Sequence, residues 1–352
     1  MNSLIKRVFF TITMLWMFTC ISTMNASVPG NIQQYVTVSR IAGSTSISMT
    51  FSKQDTWTIY QGTSPGTIDK KTLVACTKQS EIRISNLDAA TRYYFLVVNS
   101  AGEEAIVSET GLAISGQPNF RDLGGIVTTD GHHIKWGVLF RSGALNALTN
   151  ADKDYMKSVG IKRDIDFRNY EEKKTAVDNI PFGVDTLGIP ILTTIPSDAD
   201  VKAWLVQQNK SALDTMFYPL YRLYVTDFQY QFKYFCRQLE TEKGTVYHCS
   251  GGKDRTGFAT MILLSALGVD IKTIMDNYLA TNAYIEPAVK KEIAYLNLHN
   301  INGELLRPSL TVNNAFLQTS LDMIDRQYGG MDKYITMLGI NIDKLKKLYL
   351  EK

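Results

Sequence analysis

The stretch Val246 to Gly257 reads V-Y-H-C-S-G-G-K-D-R-T-G and places Cys249 six residues before Arg255 across the Gly251-Gly252 pair. That spacing suits a loop that holds an oxyanion against a sulfur nucleophile. Ser250, Gly251 and Gly252 are small enough for the backbone to turn tightly, so successive N–H groups can converge on an anion. Arg255 then closes the ring with a planar fork matched to two phosphoryl oxygens. In such a cradle the Cys249 thiolate is favoured, as a sulfur nucleophile at neutral pH requires. A buried structural cysteine is the plain alternative for an isolated residue, and these neighbours argue against it. The four-residue gap and G-K-[ST] ending of an ATP-binding P-loop are missing. With only His248 beside it, Cys249 also makes a poor metal ligand set, and no metal or other cofactor is expected.

The elements that must present the loop surround it in order. Residues 244–247 read as a short strand, and F-A-T-M-I-L-L-S-A-L from Phe258 reads as a buried helix whose N-terminus faces the same anion. Upstream, residues 151–160 read as a short helix capped by Asn150, and 161–167 as the next strand. Apolar positions between 200 and 242 recur at helical spacing, among them Phe217, Leu220, Tyr224, Phe228, Phe232 and Phe235. Such aromatic density is core material, with a deep substrate slot as the alternative. Further helices are expected over 271–280, 288–300, 313–328, 331–338 and 342–350. Strands early and helices late predict an α/β layer arrangement.

His248-Cys249, five residues, then Arg255-Thr256-Gly257 resembles the signature of the cysteine-dependent protein tyrosine phosphatase superfamily. H-C-S-G-G-K-D-R-T-G is most similar to the bacterial and fungal tyrosine and dual-specificity phosphatases, whose loop carries Lys and Asp just before the Arg. The resemblance extends to Asn119 through Gly125, Phe140-Arg141-Ser142, Asp166-Phe167-Arg168, Tyr328-Gly329-Gly330, Tyr334 and Leu338-Gly339, covering roughly residues 115–350. It implies a phosphocysteine intermediate on Cys249, a phosphate clamp at Arg255, a supporting His248 behind the sulfur, and Thr256 bonded to the thiolate. A satisfied core histidine is the other reading of His248. Asp254 is the implied general acid and base, its alternative being to orient Arg255; Asp166 is the runner-up, and Asp198, in a loop-like run, the third. Ser250, Gly251, Gly252 and Lys253 complete the phosphate-binding set. Lys253 suits either phosphoinositides or phosphopeptides flanked by acids, so phosphorylated proteins or phosphoinositides are the implied partners. A silent phosphopeptide-binding or surface adhesion protein is the competing reading. Arg121 and Arg141 are expected either to position substrate or to form structural salt bridges.

The remainder of the chain divides into parts. Lys6 and Arg7 precede a short apolar run, and small residues follow up to Ala26, so residues 1–26 are expected to be a signal peptide. Periplasmic, surface or secreted localisation follows, with lipidation at Cys20 as an alternative to plain cleavage. Residues 27–110 alternate as short strands between Gly, Pro, Ser and Asn, which predicts a β-sandwich. Leu87 through Phe95 resembles the turn and strand of fibronectin type III domains, and a covering module or spacer is the expected role. Residues 111–352 form the phosphatase-like part, so the expected fold is a β-sandwich followed by an α/β cysteine-phosphatase domain with a central sheet and a C-terminal helical group. A Cys76–Cys236 disulfide would have to link the two parts and is not expected. Adjacent His132 and His133 would point to opposite faces of a strand, against a shared metal. A net charge of +3 without a Lys/Arg stripe gives no sign of nucleic-acid binding.

Overall fold

The structure is a computed structural model that describes residues 32–40, 44–192, 198–241 and 243–351. The expected signal peptide and Cys20 lie outside the described residues. Strands β1 (Val36–Arg40), β2 (Ile47–Phe51), β3 (Trp57–Gly62), β4 (Leu73–Thr77), β5 (Glu81–Ile84), β6 (Tyr94–Val98) and β7 (Glu104–Ser108) come first. They build antiparallel sheets ordered β1-β2-β5 and β4-β3-β6-β7. Alternation explains how they pack, since Ile47, Met49 and Phe51 of one sheet and Trp57 and Ile59 of the other turn inward to one core. Phe51 stacks on Trp57 at 5.1 Å between centroids.

Buried charge fastens this sandwich to the α/β part of the chain, a tie that a detachable spacer would not need. Arg92 meets Asp122 at 2.7 Å with both side chains nearly inaccessible, and its guanidinium lies over the rings of Tyr94 and Trp136. Burial works against the charge on Arg92, but Asp122, Tyr94 and Tyr155 together outweigh it and the guanidinium pKa is raised. Arg40 pairs with Glu109, which also accepts from the Tyr155 hydroxyl at 3.1 Å. Gln33 donates to the carbonyl of Gly125, and the Trp136 indole to that of Ile106.

The α/β part carries β8 (Arg121–Asp122), β9 (His133–Ile134), β10 (Leu139–Ser142), α1 (Asn150–Ser158), β11 (Ile161–Asp166), α2 (Tyr170–Thr175), β12 (Asp185–Gly188), α3 (Asp198–Val206), α4 (Lys210–Thr215), α5 (Tyr218–Thr226) and α6 (Gln229–Gln238). After these come β13 (Gly244–His248), α7 (Asp254–Leu267), α8 (Ile271–Leu279), α9 (Thr281–Leu298), α10 (Arg307–Leu310), α11 (Asn314–Tyr328), α12 (Met331–Leu338), α13 (Ile342–Tyr349) and β14 (Leu350–Glu351). The central sheet runs β12-β11-β13-β10-β8, parallel except for β8, with β13 in the middle. Ser142 and Asp166 both register with His248, so the C-terminal ends of β10, β11 and β13 form one level. Open α/β sheets place their ligands there.

Helix α7 is buried on nearly all sides, which explains its uniformly apolar sequence, and it ends on Gly268 in the left-handed region at φ 89°. Some boundaries differ from the sequence reading. Thr149, not Asn150, caps α1, because its hydroxyl rather than the amide forms a reciprocal capping box with Asp152. Helix α9 begins at Thr281 rather than near 288, so Pro287 lies inside it instead of marking its start. His133 pairs with Glu351 of β14, and His132 with Asp130. Cys76, Cys236 and Cys249 are all free. Among the described residues no helix is long and apolar enough to cross a membrane.

Candidate active site

The loop after β13 turns at Ser250 to Lys253 and enters α7 at Asp254. Cys249, 2 % exposed, sits at the strand end beneath the first turn of the helix. Lys253, the capping position, makes no side-chain cap. Among the described residues none accepts a hydrogen bond from the backbone N–H groups of Ser250 to Asp254, so these donors stay open to an anion. Burial alone would raise the Cys249 pKa, but the Arg255 charge and the Thr256 hydroxyl and N–H pull it below the usual thiol value, against a smaller push from Asp254. A thiolate is thereby favoured.

Neighbouring elements fix the curve of the loop. Gly252 adopts φ 67°, and a Cβ there would fall 2.4 Å from the Ser142 carbonyl oxygen, so both conformation and space demand glycine. Arg141 of β10 donates to the Gly252 carbonyl at 2.9 Å and to the Asn277 side chain at 2.8 Å. Asn119 donates to the carbonyls of Gly251 and Gly252. With the loop carbonyls drawn outward in this way, its N–H groups are left to the inside.

Arg255 is held by Glu172, a residue the sequence reading passed over. The two guanidinium Nη atoms each donate to one Glu172 oxygen at 2.7 Å. Ser250 donates to the same carboxylate at 2.6 Å. Although burial opposes it, the bonds and charge of Arg255 pull the Glu172 carboxyl down to about 2. Glu172 is also the third residue of α2 and closes a capping box with Asn169. Among the described residues the carboxylate bonded to Arg255 is Glu172, while Asp254 accepts from Tyr221.

Behind the sulfur, His248 is fully buried with Nε2 at 3.2 Å from Asp164 and 3.5 Å from Asp178. Its Nδ1 lies 3.1 Å from the Cys249 carbonyl oxygen. Burial would lower its pKa, yet Asp164, then Asp166 and Asp178, raise it to about 9. A pKa raised in the folded state stabilises the fold fully below the unfolded value near 6.5, and that contribution disappears as pH climbs through about 9. Urea midpoints measured from pH 6 to 10 should therefore fall more steeply for the wild type than for His248→Gln. Identical slopes would remove His248 from the account.

The structure separates the other candidates. Asp254 lies at the mouth of the loop, accepting from the Tyr221 hydroxyl at 3.0 Å, with Lys253 Nζ 3.4 Å from its second oxygen. Lys253 reaches the carbonyls of Ser309 and Thr311 and lies over the Phe217 ring at 4.6 Å. Asp166 is buried and engaged by Arg168 in a fork, with Lys173 Nζ 3.7 Å from one of its oxygens. Asp198 opens α3, and its side chain lies outside the described residues. Arg121 donates to the Asn277 carbonyl and the Thr281 hydroxyl, so it ties helices to the sheet by hydrogen bonds rather than a salt bridge. The aromatic positions of α5 and α6 are mostly core.

A thiol at the end of a central parallel strand, under open N–H groups and beside an arginine held by a carboxylate, has a geometry in an α/β fold that could receive an anion. The chain belongs to the tyrosine phosphatase family, whose description matches residues 112–351, and it is a protein tyrosine phosphatase. It is 28% identical over 242 residues to a protein of Cupriavidus necator provisionally assigned as a tyrosine-protein phosphatase, covering 68% of this chain and 88% of that one. It is 25% identical over 263 residues to the triple specificity protein phosphatase PtpB of Mycobacterium tuberculosis, covering 65% and 94%. The crystal structure of P. aeruginosa TpbA matches 61% of this chain and 88% of its own at 15% identity and a TM-score of 0.25, too loosely to bear on function.

Proposed function

We propose that the chain hydrolyses phosphotyrosine in proteins through a phosphocysteine intermediate. The Cys249 sulfur attacks phosphorus while the bond to the tyrosyl oxygen breaks, and Asp254 gives its proton to the departing phenoxide. Asp254 then takes a proton from water as the water oxygen displaces the sulfur and inorganic phosphate leaves. Arg255 and the loop N–H groups hold the equatorial oxygens throughout. The observation that carries this reading is the thiol whose pKa is drawn down by Arg255 and Thr256 beneath the N-terminus of α7.

Lys253 favours phosphotyrosine over phosphoinositide, because its ammonium is engaged by the Ser309 and Thr311 carbonyls rather than free for a second phosphate. The triple specificity in the name of the M. tuberculosis relative supports a broader range as the alternative. Turnover of a phosphotyrosine peptide, a phosphoserine peptide and a phosphoinositide should be compared side by side, with kcat/KM highest for the first. Preference for the phosphoinositide would overturn the substrate assignment, and binding without phosphate release from any of them would favour a silent phospho-binding module. The leader-like residues before Ala26 support export, with Cys20 as an alternative lipid anchor, and the strands between 36 and 108 support a fibronectin-like covering module.

A further inference from the structure

The geometry points to Tyr221 and Tyr278 as positioning residues for Asp254, a hydroxyl relay that dictates which carboxyl oxygen faces the leaving group. The inference rests on the reading of Asp254 as general acid. Tyr221, on α5, and Tyr278, on α8, are both buried, and their hydroxyls are in contact. Each phenol has one proton. Tyr221 uses its proton on Asp254 Oδ1, so the contact between the two tyrosines must use the proton of Tyr278. The relay therefore runs from Tyr278 to Tyr221 to Asp254.

Packing holds both donors in place. The Tyr221 ring stacks on Phe316 at 5.6 Å and meets Tyr224 edge-on at 5.3 Å, while Ser320 donates to its backbone carbonyl at 2.7 Å. Tyr278 lies against the first turn of α7, where a Cβ on Gly257 would approach its ring to 2.8 Å. The residue before it, Asn277, receives Arg141, which also holds the Gly252 carbonyl. The end of α8 thus fixes the loop through one residue and the acid through the next. With Oδ1 committed as an acceptor, the transferable proton falls to Oδ2, whose other neighbour, Lys253 Nζ, stands 3.4 Å away and donates instead to the Ser309 and Thr311 carbonyls. A carboxyl without that donor can rotate and present either oxygen, and fewer encounters deliver the proton.

The test uses the full chain and Tyr221→Phe, which keeps the ring and removes the hydroxyl. Phenyl phosphate, a poor leaving group, should show kcat lowered about tenfold with KM unchanged, the size of one neutral hydrogen bond. For p-nitrophenyl phosphate, whose leaving group needs little protonation, the loss should be under about twofold. Tyr278→Phe should give a smaller loss of the same kind. In an Asp254→Asn background, Tyr221→Phe should cost nothing further, because the two act through one proton. Wild-type kcat on phenyl phosphate in Tyr221→Phe, beside a leaving-group-dependent defect in Asp254→Asn, overturns the relay alone. Equal losses on both substrates, or losses that multiply with Asp254→Asn, also overturn it by making the tyrosines merely structural. An Asp254→Asn enzyme with no leaving-group dependence removes Asp254 as the acid, and the relay with it.

Discussion

Cys249→Ser is expected to leave a folded protein that releases no measurable phosphate. Turnover of p-nitrophenyl phosphate should fall by at least about 10⁴-fold, the scale on which removing a nucleophile disables a catalytic unit. The change is nearly isosteric, so the packing around position 249 should survive. What disappears is ionisation. Arg255 and Thr256 draw a thiol below its usual value, but a hydroxyl starts far too high for the same neighbours to yield an alkoxide. Cys249→Ala should behave the same way, with circular dichroism and thermal midpoint close to wild type. Turnover within tenfold of wild type by either variant would exclude the sulfur as nucleophile.

Arg92→Ala should destabilise the protein by about 3–5 kcal/mol, the cost of removing one partner from a buried ion pair. Asp122 would stay buried with a charge it cannot share, although it still accepts from the backbone N–H groups of Gly124 and Gly137. The loss should appear as a lower urea midpoint with cooperativity lost between sandwich and catalytic part, since Arg92 belongs to one and Asp122 to the other. An unchanged midpoint would mean that the junction is dispensable. The same pair explains why excising the sandwich should not yield a healthy catalytic fragment: Asp122 and Trp136 would be stripped of their cover together.

The sequence made the loop legible because its chemistry is local. Cysteine, glycines and arginine lie within one turn of chain, between a strand and a helix that announce themselves by composition. The sandwich core was equally readable, because inward residues alternate along each strand. Glu172 was not, since Y-E-E-K reads as the polar face of a short helix and its partner Arg255 lies 83 positions away. Tyr221 and Tyr278 were hidden for a related reason. Aromatic residues at helical spacing signal burial, and nothing in spacing tells which buried hydroxyl will meet a carboxylate from another helix. In sequence Arg121 and Arg141 suit either substrate positioning or structural salt bridges, yet both donate to main-chain carbonyls, whose orientation no residue pattern records.

Helix α2 is too short to hold its shape alone, and the carboxylate that closes its first turn is the one that aims the guanidinium. Glutamine at position 172 would keep the reach without the charge, and aspartate the charge without the reach. The position therefore has almost no neutral neighbours through which sequence drift could pass. Two demands on one side chain leave that corner of the enzyme far less free to diverge than its place on an exposed helix suggests.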